Sequence, residues 1–85
     1  MNGSNLLNIP GVGKSIAKDL QSLGYMQVSD LVGQDAEQMY SSLIDKAGEH
    51  VDRCMLYVFR CAVYYAETSH PESEKLKWWY WKDQN

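Results

Sequence analysis

Apolar residues recur at helical spacing along the first half of the chain. Residues 14–23 carry a set on one helical face, namely Ile16, Ala17, Leu20 and Leu23. Gly24 follows at the position where a left-handed residue commonly closes a helix. The pattern predicts a helix over 14–23, preceded by a short helix over 4–8.

A longer amphipathic stripe predicts a helix over residues 36–47. Asp35 precedes it as an N-cap and Gly48 ends it. Its apolar positions follow the i, i+3, i+4, i+7, i+8 pattern and are Ala36, Met39, Tyr40, Leu43, Ile44 and Ala47. Between this helix and the preceding one, residues 28–32 predict a short helical turn.

The longest helix is predicted over about residues 49–67 and is apolar around most of its circumference. A helix of that kind is usually central and buried. Its polar side chains share one narrow face, which consists of Arg53, Tyr57, Arg60 and Tyr64. We refer to these four residues as the arginine–tyrosine stripe.

Four consecutive aromatic residues, 78–81, lie in a last helical segment predicted over residues 75–82. Consecutive side chains on a helix point about 100° apart, so the four cannot all face one core. We expect at least Trp78 or Trp79 to pack in the core, some of the four to fold back over the long helix, and others to be exposed for a dimer, a partner or base stacking. With no strand pattern in the chain, the fold is predicted to be all-α, with about five helices in a single domain, 1–85.

The charge is unevenly distributed along the chain. The formal net charge of −3 divides into +1 over residues 1–28, −5 over 29–52 and +1 over 53–85. The acidic residues are therefore concentrated in the middle of the sequence. Anion binding near the N-terminus is permitted, but it should be weak and sensitive to salt.

Composition excludes several classes of protein. The chain has 85 residues and no apolar run long enough to cross a membrane, and its N-terminus does not have the pattern of a secretion signal. Cys54 and Cys61 lie seven residues apart in a predicted helix, about 10 Å between Cα atoms, which is too far for a disulfide. We expect a cytoplasmic protein with reduced thiols and no membrane partner.

The hairpin predicted over residues 9–15 has the strongest chemical signature. Gly11 and Gly13 flank one apolar residue just before a helix begins, and they leave the backbone open. Unsatisfied N–H groups and the positive end of the helix dipole favour an anion there. A phosphate is the ligand that these features fit best.

A nucleotide is one interpretation of that phosphate, since residues 8–15 look like a Walker A loop ending in Gly-Lys-Ser. However, Asn8 replaces the first glycine of that motif and Pro10 lies inside the loop. The motif also requires a buried strand before it, and the chain upstream is too short for one. Nucleotide hydrolysis is therefore disfavoured.

The alternative is a helix-hairpin-helix, and here the resemblance is specific. The positions that match that motif are Leu6, Ile9, Gly11, Val12, Gly13, Ala17 and Leu20. The resemblance implies a SAM-like helical domain whose hairpin amides contact DNA phosphates without reading bases, with Val12 inserted into the core. The DNA-phosphate site would then comprise Gly11, Val12, Gly13, Lys14, Ser15 and Lys18. It also implies that the hairpin carbonyls could hold a monovalent cation.

The whole chain resembles a small bacterial family, the pathogenicity-locus proteins with a helix-hairpin-helix, some of which are labelled mitomycin-resistance proteins. The resemblance lies in the hairpin, in residues 52–54 and 60–66, and in the ending at residues 78–83. It strengthens the expectation for the fold and adds little about molecular function.

Other groups give weaker indications. The arginine–tyrosine stripe could extend a nucleic-acid surface, but we favour a solvated edge with a pair between Glu49 and Arg53. His50, Cys54 and Cys61 have loose metal-ligand chemistry, and we favour structural cysteines and no metal. No nucleophile or carboxylate pair stands out beside a histidine, so we predict a protein that is not an enzyme.

Two functions remain open on the sequence. The first is a module that binds DNA backbone without sequence preference through its hairpin. The second is a protein-interaction or dimerisation module that uses the aromatic C-terminal segment and keeps the hairpin only as a structural element.

Overall fold

In the computed structural model, which describes residues 5–83, every regular element is a helix. The α-helices are α1 (Lys14–Ser22), α2 (Ala36–Ala47) and α3 (Cys54–Glu67). Single turns of 3-10 helix lie between and around them, namely η1 (Asn5–Asn8), η2 (Val28–Leu31), η3 (Ser73–Leu76) and η4 (Trp78–Trp81).

The all-α prediction is confirmed for the described residues, but the count of about five helices is wrong. The described residues form three α-helices, and the other helical segments are four-residue 3-10 turns, too short to propagate a full α-helix. The first predicted helix began at Ser4, which lies outside the described residues.

Glycines end the first two α-helices where the sequence predicts. At the end of α1, Gly24 has φ +100° and the amide of Tyr25 donates to the carbonyl of Leu20 at 3.0 Å. At the end of α2, Gly48 has φ +70° and its amide donates to the carbonyl of Ile44 at 2.9 Å. Both ends use a left-handed residue that glycine adopts without a steric penalty.

The helix α3 begins at Cys54 rather than at Glu49, although it ends at Glu67 as predicted. The Asp52 carboxylate accepts the amide of Cys54 at 2.8 Å, a side-chain bond of the kind that starts a helix. Just before it, the Tyr40 hydroxyl donates to the carbonyl of Val51 at 2.6 Å and holds the connection against α2. Residues 49–53 therefore form the turn between two helices.

The core is built around α3, as its nearly all-round apolar character predicts. Its buried side chains are Leu56, Val58, Phe59, Cys61 and Ala62. Buried residues from the rest of the chain that complete the core are Leu6, Ile9, Val12, Ala17, Leu20, Leu31, Met39 and Leu43. The hairpin thus contributes two anchors to the same core.

The C-terminal strap, which we define as residues 73–83, packs against α3. Trp78 lies against the core, whereas Trp79 is 52% exposed and Tyr80 is 44% exposed. The indole N–H of Trp81 donates to the carbonyl of Lys75 at 2.8 Å, which folds the strap back on itself. Trp78 is therefore the aromatic that packs in the core, and Trp81 packs against Tyr64 of α3.

We predict that Leu20→Ala lowers the free energy of unfolding by about 2–5 kcal/mol, because it leaves a cavity in the core. Leu20 has no exposed surface in the fold. Leu7→Ala is the matched control, since Leu7 is 49% exposed, and it should change stability by less than about 0.5 kcal/mol. Urea unfolding followed by circular dichroism measures both, and equal effects would contradict the placement of α1.

Candidate functional site

The hairpin before α1 is a tight turn anchored on both sides. The amide of Val12 donates to the carbonyl of Ile9 at 3.0 Å, with Pro10 and Gly11 as the two central residues. Gly11 has φ +86°, and proline followed by such a glycine is the signature of a type II turn. Ile9 and Val12 are 1% and 6% exposed, so the turn is held down by apolar side chains.

Gly13 is the N-cap of α1 and supplies no side chain to its amides. Its backbone is extended, with φ −98° and ψ −170°, and its carbonyl accepts the amide of Ala17 at 2.9 Å. Within residues 5–83, no hydrogen-bond acceptor is paired with the amides of Gly13, Lys14 and Ser15. A Cβ added at Gly13 meets no atom within 4 Å, so this end of the helix is open to solvent.

The polar residues predicted for the hairpin site all lie on its exposed side. Lys14, Ser15 and Lys18 are exposed, as are Gly11 and Gly13. Neither lysine forms an ion pair with a described residue. The structure therefore brings the predicted set together, with Val12 buried beneath it.

The strap reaches the hairpin, which sequence reasoning missed. A Cβ placed on Gly11 lies 3.7 Å from the Cδ1 atom of Trp78. Trp78 in turn meets Trp79 edge-on, with ring centroids 5.7 Å apart. The only sequence signal for this contact was the run of four aromatics, which exceeded what one helix face could bury.

The side chains of the arginine–tyrosine stripe are paired with other parts of the fold, mainly with the strap. Arg53 Nε forms an ion pair with the Asp83 carboxylate, and the Tyr57 hydroxyl donates to Asp83 Oδ2 at 3.2 Å. Arg60 donates to Asp83 Oδ1 at 3.0 Å, to the carbonyl of Trp81 at 2.8 Å and to Glu37 Oε2 at 3.2 Å.

Tyr64, the last residue of the stripe, is also paired within the fold. Its hydroxyl accepts the amide of Glu72 at 2.9 Å, and its ring centroid lies 5.4 Å from that of Trp81. Arg53 is paired with Asp83, not with Glu49 as expected. The stripe therefore docks the strap, a role that could be inferred only with the fold in hand.

Asp83 is the common acceptor of this cluster, and its charge is correspondingly stabilised. Hydrogen bonds from Arg53, followed by those from Arg60, lower the pKa of Asp83 to about 2 from an ordinary value of 3.8. Arg53, Tyr57 and Arg60 of the stripe, with Asp83, form an oxyanion site on α3 that the Asp83 carboxylate occupies.

An open groove lies beside this cluster, between the start of α2 and the strap. Arg60 and Asp83 line it together with Trp79 and Tyr80, and residues 34–37 form its other wall. The two exposed aromatic rings of the strap therefore share one groove with the oxyanion site.

Other candidate chemistry is dispersed. Across residues 5–83, no three His, Cys, Asp or Glu side chains are grouped where they could hold a metal ion. Cys54 is exposed and Cys61 buried, and both are free thiols. A hydrogen bond with Asp52 raises the pKa of Cys54, and burial raises that of Cys61, so both favour the neutral thiol. No helix in the described part of the chain is long and apolar enough to span a membrane.

The fold and its two polar clusters define a small helical protein, and comparison with known proteins places it in a family. The model of the Cdd1 family, described as "Pathogenicity locus", matches residues 2–85. The chain therefore belongs to the pathogenicity-locus family, which confirms the resemblance inferred from its motifs.

A curated relative shares part of this similarity. The chain is 29% identical over 65 residues to "Mitomycin resistance protein McrB" of Streptomyces lavendulae. The match covers 76% of this chain and 62% of the relative, so it spans less than two thirds of the relative's length. No solved structure matches the chain.

We predict an acid transition of the strap that depends on Asp83. Because its pKa is lowered in the fold, the contribution of Asp83 to docking is complete above about pH 4 and is lost as the pH falls towards 2. All three tryptophans of the chain lie in the strap, so intrinsic fluorescence reports on it.

Asp83→Asn should remove this step from an acid titration, whereas Asp45→Asn, an exposed change on α2, should retain it. An identical titration for the two variants would contradict the assignment to Asp83.

Proposed function

We propose that residues 5–22 form a helix-hairpin-helix that binds the DNA backbone without sequence preference. The observation that carries the proposal is the open start of α1, where adjacent amides that have no acceptor among residues 5–83 lie beside two lysines that form no ion pair with those residues. A phosphate at this position accepts from backbone N–H groups and is further stabilised by the helix dipole.

The hairpin is suited to the phosphate backbone and not to base edges. Gly11 and Gly13 have no side chain, and Val12 is buried, so the tip of the hairpin projects no group into a groove of the duplex. Contacts of this kind fix the position of a protein on DNA but carry no sequence information. The proposal therefore assigns the chain a binding role and no catalytic step.

The expected affinity is low because few cations take part. Lys14 and Lys18 lie one turn apart on α1, and both are exposed. If they neutralise two phosphates, log K should fall against log salt with a slope of about −2, by about −0.9 per phosphate. The acidic middle of the chain weakens attraction further at low salt.

We predict that Gly13→Asp abolishes duplex binding while the fold is kept or stabilised. The backbone at Gly13 is compatible with any residue, an added Cβ meets nothing, and aspartate is a good N-cap. Its carboxylate would occupy the open amides and repel a phosphate.

Gly13→Ala is the matched control, because it adds a Cβ without charge and leaves the amides open. Fluorescence anisotropy with labelled duplex DNA measures binding, and thermal unfolding measures stability. If Gly13→Asp binds as well as Gly13→Ala, the hairpin is not the site.

We also predict that Lys14→Gln weakens duplex binding and makes the salt slope shallower by about one unit, because one phosphate contact is lost. Lys46→Gln removes the same charge from the last turn of α2 and should leave the slope unchanged. A salt series of anisotropy titrations compares the two. Equal slopes would show that only net charge matters.

The exposed rings of the strap favour a second candidate, which is a protein-interaction or dimerisation surface. Trp79 and Tyr80 are the aromatic residues that the fold leaves most exposed, and aromatic side chains are enriched at interface hot spots. Sedimentation at several concentrations tests self-association. Trp79→Ala is the informative variant, because Trp81 is packed on Tyr64.

A further inference from the structure

Three donors on one face of α3 converge on a single carboxylate. Arg53, Tyr57 and Arg60 are spaced i, i+4 and i+7, so they lie on one side of the helix. All three contact Asp83, with Arg53 and Tyr57 at Oδ2 and Arg60 at Oδ1. We call these three donor residues the oxyanion cradle.

We propose that the oxyanion cradle is a second nucleic-acid subsite, which takes the phosphate of an unpaired nucleotide and which Asp83 fills in the absence of that ligand. The proposal deepens the proposed function, on which it rests, by naming DNA with unpaired bases as the preferred substrate class.

The chemistry of the cradle fits a phosphate as well as a carboxylate. Both ligands present two oxygens to a guanidinium fork, and a tyrosine hydroxyl donates to either one. The depressed pKa of Asp83 shows that the cradle stabilises a negative charge at this position. A phosphodiester can therefore replace the Asp83 carboxylate without leaving a donor unpaired.

Displacement of Asp83 needs only a local movement. Asp83 lies beyond the end of η4 at Trp81, where the backbone is already extended. The strap is held independently by Trp78, which packs in the core, and by Trp81, which packs against Tyr64 of α3. The carboxylate can turn away while these contacts remain.

The groove beside the cradle accounts for the preference for an unpaired base. Trp79 and Tyr80, which are 52% and 44% exposed, line the same groove as Arg60 and Asp83. Aromatic rings next to a phosphate contact stack on bases that are not covered by a duplex. Glu37 also lines the groove and pairs with Nη2 of Arg60. Nη1 of Arg60 is the nitrogen that binds the Asp83 carboxylate.

The test uses the full chain, with fluorescein-labelled oligothymidylate as the probe and anisotropy as the measurement. Asp83→Asn removes the internal competitor and should tighten binding on the order of two- to fivefold, the range expected for an exposed ion pair. Asp45→Asn is the matched control, because it removes the same charge from exposed α2 surface. Equal gains for the two variants overturn the proposal.

Two further variants distinguish phosphate binding at the cradle from an effect of net charge and from stacking on the base. Arg53→Gln in the Asp83→Asn background should cancel the gain in oligothymidylate affinity. Because the Arg53 side chain is half-exposed, we expect this variant to remain folded. Trp79→Ala should weaken oligothymidylate binding but leave competition by inorganic phosphate unchanged. A gain that survives Arg53→Gln, or an equal gain on blunt duplex, contradicts the assignment to an unpaired nucleotide.

The proposal for the hairpin and the proposal for the cradle can be tested independently. In a Gly13→Asp background, duplex binding through the hairpin is removed, and the gain from Asp83→Asn on oligothymidylate should persist. If the gain from Asp83→Asn disappears in the Gly13→Asp background, the cradle is not a separate subsite and the proposal is overturned. A hairpin that shows no duplex binding, with the gain intact, refutes only the proposed function.

Discussion

The helix α3 is apolar around nearly its whole surface, and this constraint determines how the remainder of the chain is arranged. A helix of that kind has to be covered on several sides, and the segment that covers it also has to provide partners for its few polar side chains. The strap meets both requirements, since Trp78 covers apolar surface while Asp83 and the carbonyl of Trp81 accept from Arg60.

This arrangement also ties the two ends of the chain together. The hairpin is anchored in the core of α3 through Ile9 and Val12, and Trp78 of the strap lies against Gly11. The candidate DNA-contacting backbone and the aromatic strap are therefore neighbours, although they are far apart in sequence. The acidic middle segment opposes the approach of an anion to either candidate site, and the local arrays of donors act against this repulsion.

Much of the local structure could be predicted from the residues. Helical spacing located α1 and α2, and Gly24 and Gly48 end them because glycine adopts the left-handed conformation readily. The start of α3 could not be predicted, since the bond from Cys54 to Asp52 and the bond from Tyr40 to Val51 compete with helical continuation. The arginine–tyrosine stripe was recognised, but its partners were not.

The sequence by itself determined the all-helical class, the buried central helix, the family and the glycine hairpin, because each depends on short-range spacing and on backbone preference. Only the tertiary structure decided what the polar face of α3 contacts. Asp83 lies 30 residues from Arg53 along the chain, and no local rule pairs them. The core brings them together, because Trp78 and Trp81 bury their rings along α3 and carry the following carboxylate onto both arginines.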